Sequence, residues 1–310
     1  MTTALDPSVD PMPAHPAVPP LSPLKAAALE LYRAISQPRR RRLATAQAAA
    51  GRARVMVYFY HRVARSSNSP LTMPFATFRR QIDWLRQHVE MVSFEESLAR
   101  IRGGNARPTA HITFDDGYAE NCAHALPYLV SQGVPTTYFV SSWHIQTGAP
   151  FAHDVRLGKR FPVNTAQQIK ALAEAGIEIG AHTRRHPDLG LITDEATLRD
   201  EIIGCKHDLE DMIGRPVRYF AFPFGTHRQL TSAAIRIARE AGYDAICSAV
   251  GGYNFPGDDP FHVQRIHGDT EMSRFRNWAT MDPRKIHLRL NLPVDSTFQP
   301  DAADMAVAID

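Results

Sequence analysis

Seven short runs rich in β-branched and aromatic residues recur along this chain, and helical stripes separate most of them. The runs are Val55–Tyr60, Ile112–Phe114, Thr136–Val140, Ile177–Ala181, Tyr219–Phe222, Asp244–Cys247 and His262–Ile266. Helical patterns cover Phe75 to His88, Phe94 to Ile101, Asn121 to Ser131, Thr165 to Ala175 and Leu230 to Ala241. A longer helix is predicted after a Thr193 cap, with Leu198, Ile202, Leu209 and Ile213 on one face and Gly214 at its end. Residues from 141 through Phe161 read as a long polar loop. Strands alternating with helices bury both faces of a parallel sheet, so the pattern restricts the chain to an α/β sheet or barrel. In such folds reactive side chains collect at the carboxyl ends of the strands.

The 310 residues, 44% of them hydrophobic, suffice for one large α/β domain. Residues 1–21, rich in proline, read as a disordered arm. Residues 22–54 read as a helix and a basic linker: Ser22 offers a cap and Pro23 a first turn. Leu24, Ala28, Leu31 and Ile35 form one apolar stripe, Pro38 ends the helix, and Arg39 to Arg42 follow as a basic run. That region is open to two readings: weak peripheral contact with anionic lipid through residues 22–42, or a solvated linker over the domain edge. The compact domain is expected at 55–284 and a tail at 285–310.

A net charge of +3 is too mild for a nucleic-acid partner. Cys122, Cys205 and Cys247 are scattered, which excludes a disulfide framework and a zinc–cysteine site. The sequence has no secretory apolar region, no run of about 18 apolar residues and no glycine-rich nucleotide loop. The expected location is therefore cytoplasmic, without a transmembrane segment.

The chemistry begins at Thr113-Phe-Asp-Asp-Gly-Tyr118, where an apolar run stops at two adjacent carboxylates. Alone, Asp-Asp-Gly is commonly a surface turn, and like charges this close raise one pKa unless a cation intervenes. A second strand end carries His182-Thr-Arg-Arg-His186, two imidazoles at i and i+4 with Arg184 and Arg185 between them, as in a solvated loop. Taken together, one carboxylate and two imidazoles suit a divalent metal with positions left open for water and substrate. Asp116 is then the ligand and Asp115 the base. Phe220-Ala-Phe-Pro-Phe-Gly225 supplies an apolar wall and the Phe224 N–H for an oxyanion. Two histidines compete as general acid, His61 and His267, each just past a strand; His61 is preferred because it ends a strongly apolar strand abruptly. Arg265 is a candidate partner for Asp115.

These residues resemble the polysaccharide deacetylase family (NodB homology, carbohydrate esterase 4). Residues 113–118 look like its first motif, His182–His186 its second and Phe220–Gly225 its third; Tyr60-His61-Arg62-Val63 resembles the opening of the exopolysaccharide and poly-N-acetylglucosamine deacetylase branch. The resemblance implies a distorted (β/α)7-type barrel and a divalent metal, zinc first, with cobalt, nickel or manganese also accepted. It implies Asp115 as base, Asp116, His182 and His186 as ligands, His61 as acid, and Phe224 and Tyr118 facing substrate or oxyanion. The arginine that many members carry in the third motif is missing, and Arg265 is the candidate to take its place. The implied function is removal of N-acetyl or O-acetyl groups from an acetylated glycan or amino sugar. The alternatives are a deacylase of a small cytosolic N-acyl amine and a non-catalytic glycan-binding module.

Overall fold

The computed structural model describes residues 21–65, 69 and 71–286, so the predicted arm to residue 20 and the tail from residue 287 lie outside the described residues. Eight parallel strands form a nearly closed barrel: β1 (Val55–Tyr60), β2 (Thr109–Phe114), β3 (Thr136–Val140), β4 (Glu178–Ala181), β5 (Tyr219–Ala221), β6 (Ala245–Ser248), β7 (His262–Gln264) and β8 (Ile266–His267). They are ordered β7-β6-β5-β4-β3-β2-β1-β8. The run expected as one strand at 262–266 is used twice. Its first half pairs with β6 and its second half with β1, and only Arg265 separates the two. One bent segment thus joins both edges of the sheet, and neither edge is left as an open row of unpaired backbone groups.

The helices follow in chain order: α1 (Pro23–Ala49), α2 (Phe75–His88), α3 (Phe94–Gly103), α4 (Ala125–Ser131), α5 (Ser142–Thr147), α6 (Ala152–Arg156), α7 (Ala166–Glu174), α8 (Glu195–Arg199), α9 (Cys205–Ile213), α10 (Ser232–Glu240) and α11 (Met272–Ala279). A π-helical turn, Asp200–Gly204, links α8 to α9. Alternate residues of β1 enter two cores, as the two-residue period of a strand demands. Met56, Tyr58 and Tyr60 pack outward under the helices. Val55 and Val57 join Phe139, Tyr219, Ala221, Cys247 and Val263 inside the barrel, where Phe94, Leu98 and Ile101 of α3 complete the cluster. The same period aims His61, Asp115 and Arg265 inward.

Several expectations need correction. Pro38 does not end α1, which continues for 27 residues. A mid-helix proline normally costs about 3 kcal/mol. Here it lies on the exposed face, and tertiary bonds clamp the helix on both sides of it. Tyr32 Oη donates to Asp282 Oδ1 at 3.0 Å; Arg40, inside the supposed linker, is buried and donates to Asn277 O at 3.0 Å, Asn277 Oδ1 at 2.7 Å and Thr280 Oγ1 at 3.1 Å. The stripe of Leu24, Leu31 and Ile35 faces solvent. The polar loop before Phe161 contains α5 and α6, α11 was not anticipated, and the cap of α8 is Asp194, whose carboxylate accepts from the Thr197 N–H, in place of Thr193. Among the described residues no helix is long and apolar enough to cross a membrane.

Candidate active site

The site lies where β1, β2, β4, β5 and the β7–β8 segment end. At the end of β2 the chain turns through Asp115, whose N–H donates to Tyr60 O at 2.9 Å, and Asp116, which has φ 76°. Gly117 makes the turn possible. It has φ 104°, and a Cβ there would meet Ile145 Cδ1 at 2.9 Å. At the end of β4, His182 and His186 curl toward the same point. Asp116 Oδ1 lies 3.4 Å from His182 Nε2 and 3.3 Å from His186 Nε2. One ligand atom from each of the three falls within 4.8 Å of the others.

Asp116 is fully buried, yet neither carboxylate oxygen accepts a well-directed hydrogen bond. Orphaned buried oxygens of this kind call for a cation. Burial alone would push the Asp116 carboxyl up, but the two imidazoles overrule it and hold it well below the usual carboxylate range. His182 Nδ1 lies 2.7 Å from Ala221 O, a contact that orients the ring and points Nε2 at Asp116. The residues present therefore fit a divalent metal: a hard carboxylate, two imidazoles and a backbone carbonyl that orients one ring.

The HxxxH loop is not a solvated loop. Thr183 Oγ1 accepts from the His186 N–H at 3.0 Å, and both residues adopt positive φ, 61° and 59°. Arg184 grips Asp208 through Nε at 2.8 Å and Nη2 at 2.7 Å and also pairs with Asp200. Arg185 N–H donates to Glu201 Oε2 at 2.8 Å. All these carboxylates come from α9 and the π-helical turn. A side chain at Gly204 would collide with the Arg184 guanidinium, 2.7 Å from the added carbon. π-turns recur at functional sites; this one seats the loop that presents both imidazoles.

Asp115 meets Arg265 in a two-pronged pair, Nη1 to Oδ1 at 2.7 Å and Nη2 to Oδ2 at 2.9 Å. The guanidinium is wholly buried and is further bonded to Ser248 O and Thr113 Oγ1, each at 3.2 Å. Burial would raise the Asp115 carboxyl, but the charge of Arg265, the His182 imidazole and the Arg265 hydrogen bonds together more than offset this and keep it below its ordinary value. The charge of His61 also acts on Asp115 and on Asp116. His61 and His267 cap neighbouring strands, their rings 6.2 Å apart and each edge-on to Phe59.

The family model for polysaccharide deacetylase matches residues 102–246. YxkH of Bacillus subtilis (strain 168), a protein of polysaccharide deacetylase type, is 25% identical over 194 residues, which is 62% of this chain and 63% of that protein. The chain thus spans less than two thirds of that relative. Among solved structures, IcaB from Ammonifex degensii is 26% identical, with a TM-score of 0.62 over 73% of this chain and 97% of that one. The chain is thus similar to polysaccharide deacetylases over residues 102–246 and in its fold. The Streptococcus pyogenes deacetylase PplD, solved in complex with acetate, shares the fold at 20% identity, with a TM-score of 0.62 over 74% of this chain and 99% of that one.

Tyr118 and Phe224 are the residues expected to face substrate or oxyanion. Tyr118 bonds through its hydroxyl to other protein groups. It is buried, donates to Asp154 Oδ2 at 2.6 Å and lies 2.9 Å from His153 Nε2. Phe224, with φ 60°, packs its ring edge-on to His186 at 5.1 Å and so forms part of the wall. Four residues went unread in the sequence: His144, Phe151, His153 and Asp154. Phe151 stacks on His144 at 4.0 Å and meets His186 edge-on at 5.4 Å, while His153 lies 5.6 Å from His186. Burial and the nearby Asp116 raise the Asp154 carboxyl to about 6 despite the Tyr118 hydrogen bond. The signal that could have found them is the run Phe151-Ala-His-Asp154, an aromatic with two ionisable groups inside an otherwise featureless loop.

Proposed function

We propose that this chain is a metal-dependent hydrolase that removes N-acetyl groups from a glycan of the N-acetylglucosamine type. The observation that carries the reading is the placement of Asp116, His182 and His186 within 4.8 Å of one another beside a second carboxylate, Asp115, that Arg265 keeps ionised. Binding alone needs no such spare base. Asp116, His182 and His186 would hold the cation, zinc first among those the donor set accepts. A divalent ion there supplies Lewis acidity toward an acyl oxygen and lowers the pKa of bound water toward about 7.

The protein groups then divide the remaining work. Asp115 Oδ accepts the proton of the attacking water. Arg265 orients that carboxylate and keeps it charged until the proton arrives. His61 hands a proton to the departing amine nitrogen, which must leave as a neutral amine. The Phe224 N–H faces the oxygen on which charge develops. The Phe224 and Phe151 rings wall the His186 imidazole on the apolar side.

The test is acetate release from N-acetylated oligosaccharides and from small N-acetyl amines, each with and without chelator. Release from the oligosaccharides that stops on chelation is expected, with Asp115→Asn slower by at least ~100-fold. Turnover that ignores the chelator, or an Asp115→Asn variant as fast as the parent, would falsify the reading. Preference for the small amides would move the substrate to that class.

A further inference from the structure

Helix α1 is amphipathic the wrong way round for a helix that belongs only to a barrel. Its polar face makes the tertiary bonds: Tyr32 to Asp282, and Arg40 to Asn277 and Thr280. Its apolar face points outward. Leu24 is 81% exposed, Leu31 62% and Ile35 71%. Ala27, Ala28, Ala34 and Pro38 lie exposed among them, so from residue 24 to residue 38 this face is apolar, with Lys25 exposed at its margin. Contiguous exposed apolar surface of this kind marks an interaction face.

The face then changes character without changing direction. Arg42 falls at the helical position that continues Leu24, Leu31 and Ile35, with Arg39 and Arg41 flanking it, and all three are exposed. No carboxylate pairs with any of them among the described residues. The helix holds a single acidic residue, Glu30, and that one is half-buried and engaged by Arg33 and Arg276. Over about 27 Å of helix, from 24 to 42, the outward surface is therefore apolar and then purely cationic.

We infer that the outer face of α1 lies on an anionic lipid surface, with Leu24, Leu31 and Ile35 entering the boundary between headgroups and chains and Arg39, Arg41 and Arg42 meeting lipid phosphates. The sign and order of the groups argue for lipid over a second copy of the chain. A self-complementary pair would need carboxylates opposite the arginines, and this face carries none. A bilayer supplies both layers at once, chains for the leucines and negative charge for the arginines. The helix is clamped lengthwise to α11, so it would lie in the plane of the surface without rearranging. This inference does not depend on the reaction proposed above.

The test is flotation of the full chain with vesicles of phosphatidylcholine, with and without about 30% phosphatidylglycerol. Binding to the anionic vesicles is expected, at least tenfold tighter than to the neutral ones and weakened by salt. Leu31→Asp with Ile35→Asp should abolish it. Replacing Arg39, Arg41 and Arg42 by glutamine should weaken it about fivefold per arginine. Both variants should keep the parent's melting temperature and acetate release, because every changed residue is exposed and remote from the site. No flotation, equal binding to both vesicle types, or unchanged binding by the aspartate variant would each overturn the inference. So would a dimer in lipid-free solution that the aspartate substitutions dissolve, since the face would then belong to a second copy.

Discussion

Replacing Arg265 with methionine removes a guanidinium that is wholly buried and bonded twice to Asp115, at 2.7 and 2.9 Å. Methionine keeps the contact with Phe59 and Phe139, over which the guanidinium lies at 4.8 and 5.3 Å. The loss is therefore mainly electrostatic. Stripping one partner from a buried pair costs about 3–5 kcal/mol, because the other charge stays behind uncompensated. Asp115→Asn leaves the complementary orphan and should also destabilise. The double variant buries no charge at this place, so its cost should fall short of the sum of the two by about 2–3 kcal/mol.

Urea unfolding in chelator at neutral pH measures all three variants with the metal out of the comparison. The pH dependence adds a sign. In the parent the Asp115 carboxyl lies below its ordinary value of about 3.9. Its contribution to stability is thus complete above about pH 4 and is lost as pH falls through the lower folded value. Without Arg265, burial dominates and raises the carboxyl, so the variant should lose stability as pH rises from about 4 toward neutrality. Single-variant costs that add to within about 0.5 kcal/mol, or a variant whose stability keeps the parent's slope with pH, would refute the pairing argument.

Three further outcomes are expected. Removing metal with chelator should lower the melting temperature by roughly 5–10 °C when the ion had been present at about 100 times its Kd, and Asp116→Asn should show no such difference. Asp154→Asn should stabilise the protein by up to about 2–3 kcal/mol above pH 6 and by nothing near pH 4, because the raised Asp154 carboxyl penalises the folded state only where it must ionise; equal effects at both pH values would reject burial as the cause. His61→Ala should reduce acetate release from amides much more than His267→Ala, and equal small losses would reassign the proton donor.

The clustering of these groups was legible because each occupies a strand end and because their types make sense only together. Asp115-Asp116 and His182…His186 are ambiguous apart and meet although β3 lies between their strands. Arg265 was readable as a partner of Asp115 for the same reason. The second layer was not. Glu201 and Asp208 look like ordinary charges on a helix, and only the π-helical turn brings them under Arg184 and Arg185. The length of α1 was misread. Its partner α11 was not in view, and a proline was given more weight than buried polar bonds to distant residues.

The bent segment from His262 to His267 ties the timing of assembly to the timing of chemistry. Tyr58 finds its neighbour Ile266 only after roughly two hundred further residues have been made. At about 5–20 residues per second, the first strand emerges with one flank bare for some 10–40 s. The guanidinium that keeps Asp115 charged arrives in the same stroke as the strand that seals the wall. A chain interrupted before that point would leave Asp115 without its counter-charge, so the charge pairing of the candidate site waits for the last strand of the barrel.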